Sequence, residues 1–295
     1  MLRGIVYSLL SALCFSTLVI IAKFGFDSGM TSAQMLFYRF AFGALATAVF
    51  LIFTGRKNAF IVERRTLAKI VLIGGTMFLP QSFFFIMSLK YIPAVTAELV
   101  LYFYPTAVVL ISWLVLKKTL NRLHLISAAV AFAGSSLILF EAFASNISLT
   151  GLLLAMMAML TFSSYMLVTH NILEKTDPFA LSFYLMITAS FILSFNLPES
   201  TFSLSAYQFS LALMLGIIPS SLATIFLYKA LKEIGSSMTS IASSIEPALT
   251  VVLAHIFLGE RTAVMQITGM ILIMMGIIIP MWGSIFMKRK AAAQV

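Results

Sequence analysis

"IASSIEPALTVVL", residues 241–253, is apolar apart from small residues and one adjacent pair, Glu246 and Pro247. A carboxylate and a helix breaker thus stand side by side in a stretch that otherwise reads as hydrocarbon. The whole chain has the same character. Of 295 residues, 61% are hydrophobic and only 10% are charged, and the mean hydropathy is +1.06. Soluble domains are nearer half apolar and a quarter charged, so lipid must solvate most of this surface. Apolar runs of 18 or more residues recur, each long enough to cross a core of about 30 Å as a helix. Strand-length alternating segments are absent, which argues against an outer-membrane barrel.

The pattern predicts an all-α membrane protein with ten transmembrane helices, near 4–24, 32–53, 67–89, 94–116, 122–141, 150–171, 178–196, 208–231, 237–258 and 263–286. Connections are short and leave no soluble domain. An even count puts both termini on one side. Fifteen Lys and Arg fall there, at 3, 56–57, 64–65, 69, 117–118, 122, 175, 229, 232 and 288–290. Lys23, Lys90 and Arg261 fall on the other side and Arg39 within the membrane, which accounts for all 19. The positive-inside rule places both termini in the cytoplasm, with a bacterial inner membrane as the expected location. The net charge of +9 therefore orients the chain and does not suggest nucleic acid. Arg3 precedes the first apolar run without a small-residue cleavage site, so the N-terminus reads as a span rather than a removed signal. Cys14, the one cysteine, has no partner for a disulfide within the chain.

The halves resemble each other. With a shift of 142, "SLKYIPAVTAELVLYFYPTAVVLISWLVLKKTL" (88–120) falls on "ALKEIGSSMTSIASSIEPALTVVLAHIFLGERT" (230–262) without a gap. Leu89, Lys90, Ile92, Pro105, Val109 and Leu116 meet Leu231, Lys232, Ile234, Pro247, Val251 and Leu258. Further along, Gly134 meets Gly276; a shift of 147 brings "GIVYSLLSALCFS" (4–16) onto "GLLLAMMAMLTFS" (151–163). The expected units are 1–143 and 144–295, five spans each. An odd number per copy forces opposite orientations, and inverted repeats build transporters whose site lies at the midplane between the halves.

These features resemble the EamA family of the drug/metabolite transporter superfamily, over nearly the whole chain. The resemblance rests on the five-plus-five spans and on the repeated segment with its central proline, Gly-Glu turn and following glycine helix. The second half matches at Pro247, Gly259, Glu260 and Gly276. The first half departs, with Lys117 and Lys118 where Gly-Glu usually stands. The resemblance implies export or exchange of small metabolites, often amino acids, including aromatic ones.

Glu246 lies 14 residues after Lys232 and 14 before Glu260. A helical rise places it roughly 20 Å from each end, near the bilayer centre. Its repeat counterpart Tyr104 lies at the same depth, and each is followed by a proline. Pro105 and Pro247 are expected to kink their helices, freeing the carbonyls of Leu101 and Ser243 for a cavity or a partner. A structural kink compensated by Ser or Thr is the plainer alternative. A carboxylate at the bilayer centre costs on the order of 3 kcal/mol, so it faces an interior or a water pocket. Glu246 then carries a proton, pairs with a substrate ammonium, or is held structurally by serines or an arginine; the sequence leaves these open.

Arg39 and Glu98 each lie about eight residues in from an outer helix end, on the order of 10 Å deep, and are expected to pair as a gate. Gln81, Tyr102, Tyr165, Tyr184 and Tyr228 are further candidate lining residues, though membrane aromatics more often pack or anchor. Gly269, Gly276 and Gly283 form one face for helix packing or a homodimer. No glycine-rich nucleotide loop is present, and the histidines (124, 170, 255) are dispersed. No cofactor or metal is expected, and coupling would use protons, exchange or downhill flow. The reading is thus a secondary transporter of small molecules, most readily amino acids or related amines. A channel-like facilitator or a lipid-linked-sugar flippase on the same scaffold is the alternative. An intramembrane enzyme would need a cluster of acids, whereas Glu98 and Glu246 are expected about 10 Å apart in depth.

Overall fold

The computed structural model describes residues 2–104, 147–173, 176–195, 197, 199–243 and 245–276, with isolated positions between 107 and 140. Within them the chain is helical, without strands. The first half contains α1 (Leu2–Asp27), α2 (Ser32–Phe53), α3 (Arg64–Ile73), α4 (Leu79–Leu89) and α5 (Ala94–Leu101). The second contains α6 (Leu149–Leu173), α7 (Pro178–Ser194), α8 (Ala206–Gly216), α9 (Ala223–Ser243) and α10 (Glu246–Leu258). The last described element, α11, is the apolar helix Val264–Gly276. Among the described residues, five helical segments are long and apolar enough to cross a membrane: Leu2–Asp27, Ser32–Phe53, Arg64–Leu89, Leu149–Thr169 and Ala206–Ile234. Large apolar side chains such as Phe53, Phe191, Phe195 and Val264 are exposed on the helices' surfaces and their ends, as lipid contact requires.

Two spans are continuous only through π turns. Gly74–Phe78 joins α3 to α4 just ahead of Pro80, and Ile217–Leu222, containing Pro219, joins α8 to α9. Proline removes an N–H and crowds the preceding turn. A wider turn relieves the clash and keeps the backbone bonded.

The halves interleave rather than stand apart. α1 packs along α9, α2 along α7 and α8, α4 along α6, and α10 along α1 and α5. The α1 packing is antiparallel. Gly4 faces Ile234, the Ser11 hydroxyl donates to the Ala223 carbonyl at 2.9 Å, and Gln208 donates to the Ser28 carbonyl at 2.8 Å. The sequence expectation of a turn between 231 and 237 needs one refinement. Helical hydrogen bonding persists through Ser243. Ile234 lies by Gly4, while Thr224, Tyr228 and Ser243 line one cavity with Ser11.

At the opposite end, Gly259 adopts φ +65°, a left-handed cap that ends α10. The turn brings Glu260 to the N-terminus of α5, where its carboxylate accepts from the Ala94 and Val95 amides at 2.9 and 3.2 Å. This satisfies two of the three orphan amides left by the Pro93 cap and places an anion at the helix's positive end. Gln266 donates to Thr96 at 3.1 Å and Lys23 to the Ile92 carbonyl at 2.8 Å, tying the same turn down.

Close backbone approach fixes the crossing of α2 and α8. A Cβ built on Gly216 would stand 2.4 Å from Phe42 Cβ and 2.9 Å from the Gly43 amide nitrogen. At Gly75 it would meet only the end of Ile192, at 2.9 Å. Gly216→Ala is therefore expected to destabilise the protein by about 1–3 kcal/mol, and Gly75→Ala by less, because only the second neighbour can move. Melting temperatures of the two variants in one detergent check this ordering.

Candidate functional site

Two helices end in the middle of the molecule. α5 stops at Leu101, Tyr102 and Phe103 form a turn, and Tyr104 is helical again. α9 stops at Ser243, Ile245 is in a turn, and α10 starts at Glu246. Pro247 therefore does not kink a continuous span, as the sequence suggested. It occupies the first turn of a new helix, where a missing N–H is no loss. Pro105 lies outside the described residues. The freed Ser243 carbonyl has found a partner across the halves: the Tyr102 hydroxyl donates to it at 3.0 Å and to Glu246 Oε2 at 2.7 Å.

Glu98, one turn before Tyr102, and Glu246 line the same cavity, and their carboxyl groups are close enough to interact. This overturns the expected separation in depth. Glu98 stands three residues before the end of α5, about 4.5 Å along the axis, and Glu246 stands at the break itself. Two glutamate side chains span that distance. The expected Arg39–Glu98 ion pair is absent: among the described residues the ion pair is Arg56–Asp177, at 3.0 Å. Arg39 is 5% exposed and its Nε donates to Ser220 Oγ at 2.8 Å. Ser220 sits in the π turn of Ile217–Leu222 and donates in turn to the Leu215 carbonyl at 2.8 Å. The proline-widened turn thus supplies the arginine's anchor.

Arg39, Glu98 and Glu246 line one cavity of about 80 Å³. Tyr102, Tyr104, Tyr165, Tyr228 and Gln81 line it too. The Tyr165 and Tyr228 hydroxyls hydrogen-bond each other. Tyr104 packs edge-on against Tyr102 and Phe162, with centroids 5.7 and 4.9 Å apart. Tyr184 does not belong to the cavity. Its hydroxyl donates to the Phe60 carbonyl at 2.7 Å, holding the short helical turn of Lys57–Phe60. The walls also include Ser11, Phe15, Phe78, Phe85, Phe162 and Ser243. A sequence with 27 phenylalanines offers no way to select these few. The neighbouring Pro219 is the only sequence signal for Ser220.

A guanidinium, two carboxyl groups and aromatic walls around a cavity inside membrane helices define a solute-binding membrane protein. The family follows from comparison. The chain belongs to the EamA-like transporter family, whose profile matches residues 2–140 and 149–282. The family's fold is a ten-helix repeat, and the chain is a multi-pass membrane transporter. An uncharacterised transporter of Clostridium kluyveri is 23% identical over 289 residues, covering 95% of this chain and 93% of its own. The uncharacterised transporter YwfM of Bacillus subtilis is 25% identical over 171 residues, covering 57% of this chain and 58% of its own. A protein of known crystal structure has the same fold, with a TM-score of 0.68 at 18% identity over 94% of this chain and 96% of that one.

Double-mutant cycles separate the observed contacts from the expected one. Tyr102→Phe with Glu246→Gln should couple by about 1 kcal/mol in thermal stability, as hydrogen-bonded neighbours do. Arg39→Gln with Glu98→Gln should be nearly additive. Strong coupling in the second cycle would restore the ion pair.

Proposed function

We propose that the protein is a secondary transporter that exports or exchanges amino acids or related amines. The observation that carries this reading is one buried cavity containing both Arg39 and the Glu98–Glu246 pair. An α-amino acid presents a carboxylate and an ammonium group. The Arg39 guanidinium suits the carboxylate by charge and by its fork of donors. The acid pair suits the ammonium, and the rings of Phe15, Tyr104 and Phe162 suit an apolar or aromatic side chain. A lipid-linked sugar offers no counterpart to a free ammonium, which favours the small zwitterion over the flippase reading.

In this account residues 1–143 and 144–295 are inverted five-helix units, and rocking of one against the other exposes the cavity to each side in turn. Both termini face the cytoplasm of a bacterial cell, so the bonds from Glu260 to α5 lie at the outer end. They hold that end together when the cavity faces inward. Opening outward then breaks bonds between halves rather than within a helix.

The test is untargeted metabolite profiling of the medium from cells expressing wild type, Glu246→Gln, Arg39→Gln or an empty vector, at matched expression. One or more amino acids or amines should rise with wild type, and the rise should fall at least tenfold in both variants. Export of neutral sugars or lipids instead would refute the substrate class.

A further inference from the structure

A second cavity, of about 150 Å³, shares no lining residue with the central one. That is room for a group the size of several waters. Both halves of the chain build it. Asn58 and Glu63 come from the loop between α2 and α3, Thr66 from α3, and Thr176 and Asp177 from the turn between α6 and α7. α2 ends here and α3 and α7 begin, so the cavity stands at the membrane surface. The loop is fixed in place: the Ile61 amide donates to the Asn58 carbonyl at 3.1 Å, and the Tyr184 hydroxyl holds Phe60.

Two sets of donors at this cavity are unmet. Thr176 is 4% exposed, and its hydroxyl has no hydrogen-bond partner among the described residues. A buried hydroxyl left in that state is costly. The other set belongs to α3. Its cap residue, Glu63, makes no side-chain bond to the helix. The first bond of the helix runs from the Leu67 amide to the Glu63 carbonyl at 2.8 Å, so the amides of Arg64, Arg65 and Thr66 precede it. Such amides form an anion site, strengthened by the helix dipole.

The charges favour an anion over a cation. Residues 56–69 hold five Lys and Arg against one Glu. Arg64 and Arg65 are exposed in the first turn of α3. Of the two carboxylates at the cavity, Asp177 is already engaged. Its Oδ1 accepts from the Phe179 amide at 2.9 Å and its Oδ2 from Arg56 at 3.0 Å. Glu63 is exposed and can swing into water.

We propose that this cavity binds a phosphate group, held by the first amides of α3, the hydroxyls of Thr66 and Thr176 and the Asn58 amide, with Arg64 and Arg65 supplying charge. The group is a soluble phosphate or the headgroup of a phospholipid, since lipid phosphates lie at this level of the membrane. Seated there, it bridges the α2–α3 loop of the first half and the α6–α7 turn of the second. The site is independent of the solute that the central cavity takes.

The test uses the purified full-length protein in phosphate-free, lipid-depleted detergent, with melting midpoint and native mass spectrometry as readouts. The probes are inorganic phosphate, dioctanoyl-phosphatidylglycerol and, as a control without phosphate, dioctanoylglycerol, all at matched ionic strength. At least one phosphate probe should raise the wild-type midpoint by about 3 °C at ten times its Kd. Response to the lipid alone identifies a headgroup, and response to inorganic phosphate a soluble anion. Thr176→Val should melt no lower than wild type without ligand, because it removes an unmet hydroxyl, yet bind the probe at least tenfold more weakly. Thr66→Val should bind more weakly too, and Lys232→Gln, outside the cavity, should bind as wild type does. Glu63→Gln should bind about threefold more tightly, since it removes a like charge at the helix end. No shift with either phosphate probe, an equal shift in Thr176→Val and Thr66→Val, an equal shift with dioctanoylglycerol, or weaker binding by Glu63→Gln, as a cation site requires, overturns the proposal.

Discussion

In hydrocarbon, a backbone carbonyl without a partner costs several kcal/mol, so a helix can stop at mid-membrane only where something meets its loose end. The centre of this protein follows from that constraint. α9 stops at Ser243, and the carbonyl exposed there is met by Tyr102 from the opposite half. Tyr102 stands where α5 itself stops. The turn after α5 thus supplies the partner for the loose end of α9. The same hydroxyl reaches Glu246, so the contact that stabilises the break also positions the carboxylate. The cavity is the space that two helix ends leave between them.

The prolines have the same logic. Pro80 and Pro219 force π turns rather than breaks, because the chain there still needs to cross the membrane. The turn at Ile217–Leu222 presents Ser220, which holds Arg39 in the cavity without neutralising it. A buried cation kept by a neutral hydroxyl retains its charge for a ligand. The Glu260 contact fixes the start of α5, the helix whose other end forms the site. One eight-residue helix is therefore held at both ends by the other half of the chain.

Much of this was legible in the sequence, for identifiable reasons. Hydropathy and the sorting of Lys and Arg reveal the spans, because both report directly on the membrane. The repeat pointed to Tyr104 and Glu246 as equivalent midplane positions, and both line the cavity. Glu98 was found but given the wrong partner. Counting residues from charged ends assumes unbroken helices, and the end of α5 at Leu101 invalidates the count. Arg39 was matched to a carboxylate by depth alone, which cannot see a serine in a π turn. Tyr184 was chosen by type, and only three-dimensional packing places its hydroxyl on the Phe60 carbonyl. The sequence thus showed where polar groups must be buried, but not which of them meet.

The central claim is that the two helix breaks enclose a solute cavity reached in turn from both sides of the membrane. The most direct measurement is cysteine accessibility at Ser243, whose buried hydroxyl lines that cavity. With Cys14 replaced by Ala, Ser243→Cys would be exposed to a membrane-impermeant, positively charged methanethiosulfonate reagent in right-side-out and inside-out vesicles. The account predicts labelling from both faces, slowed when the transported solute is present. Labelling from neither face would mean a sealed core and would contradict it.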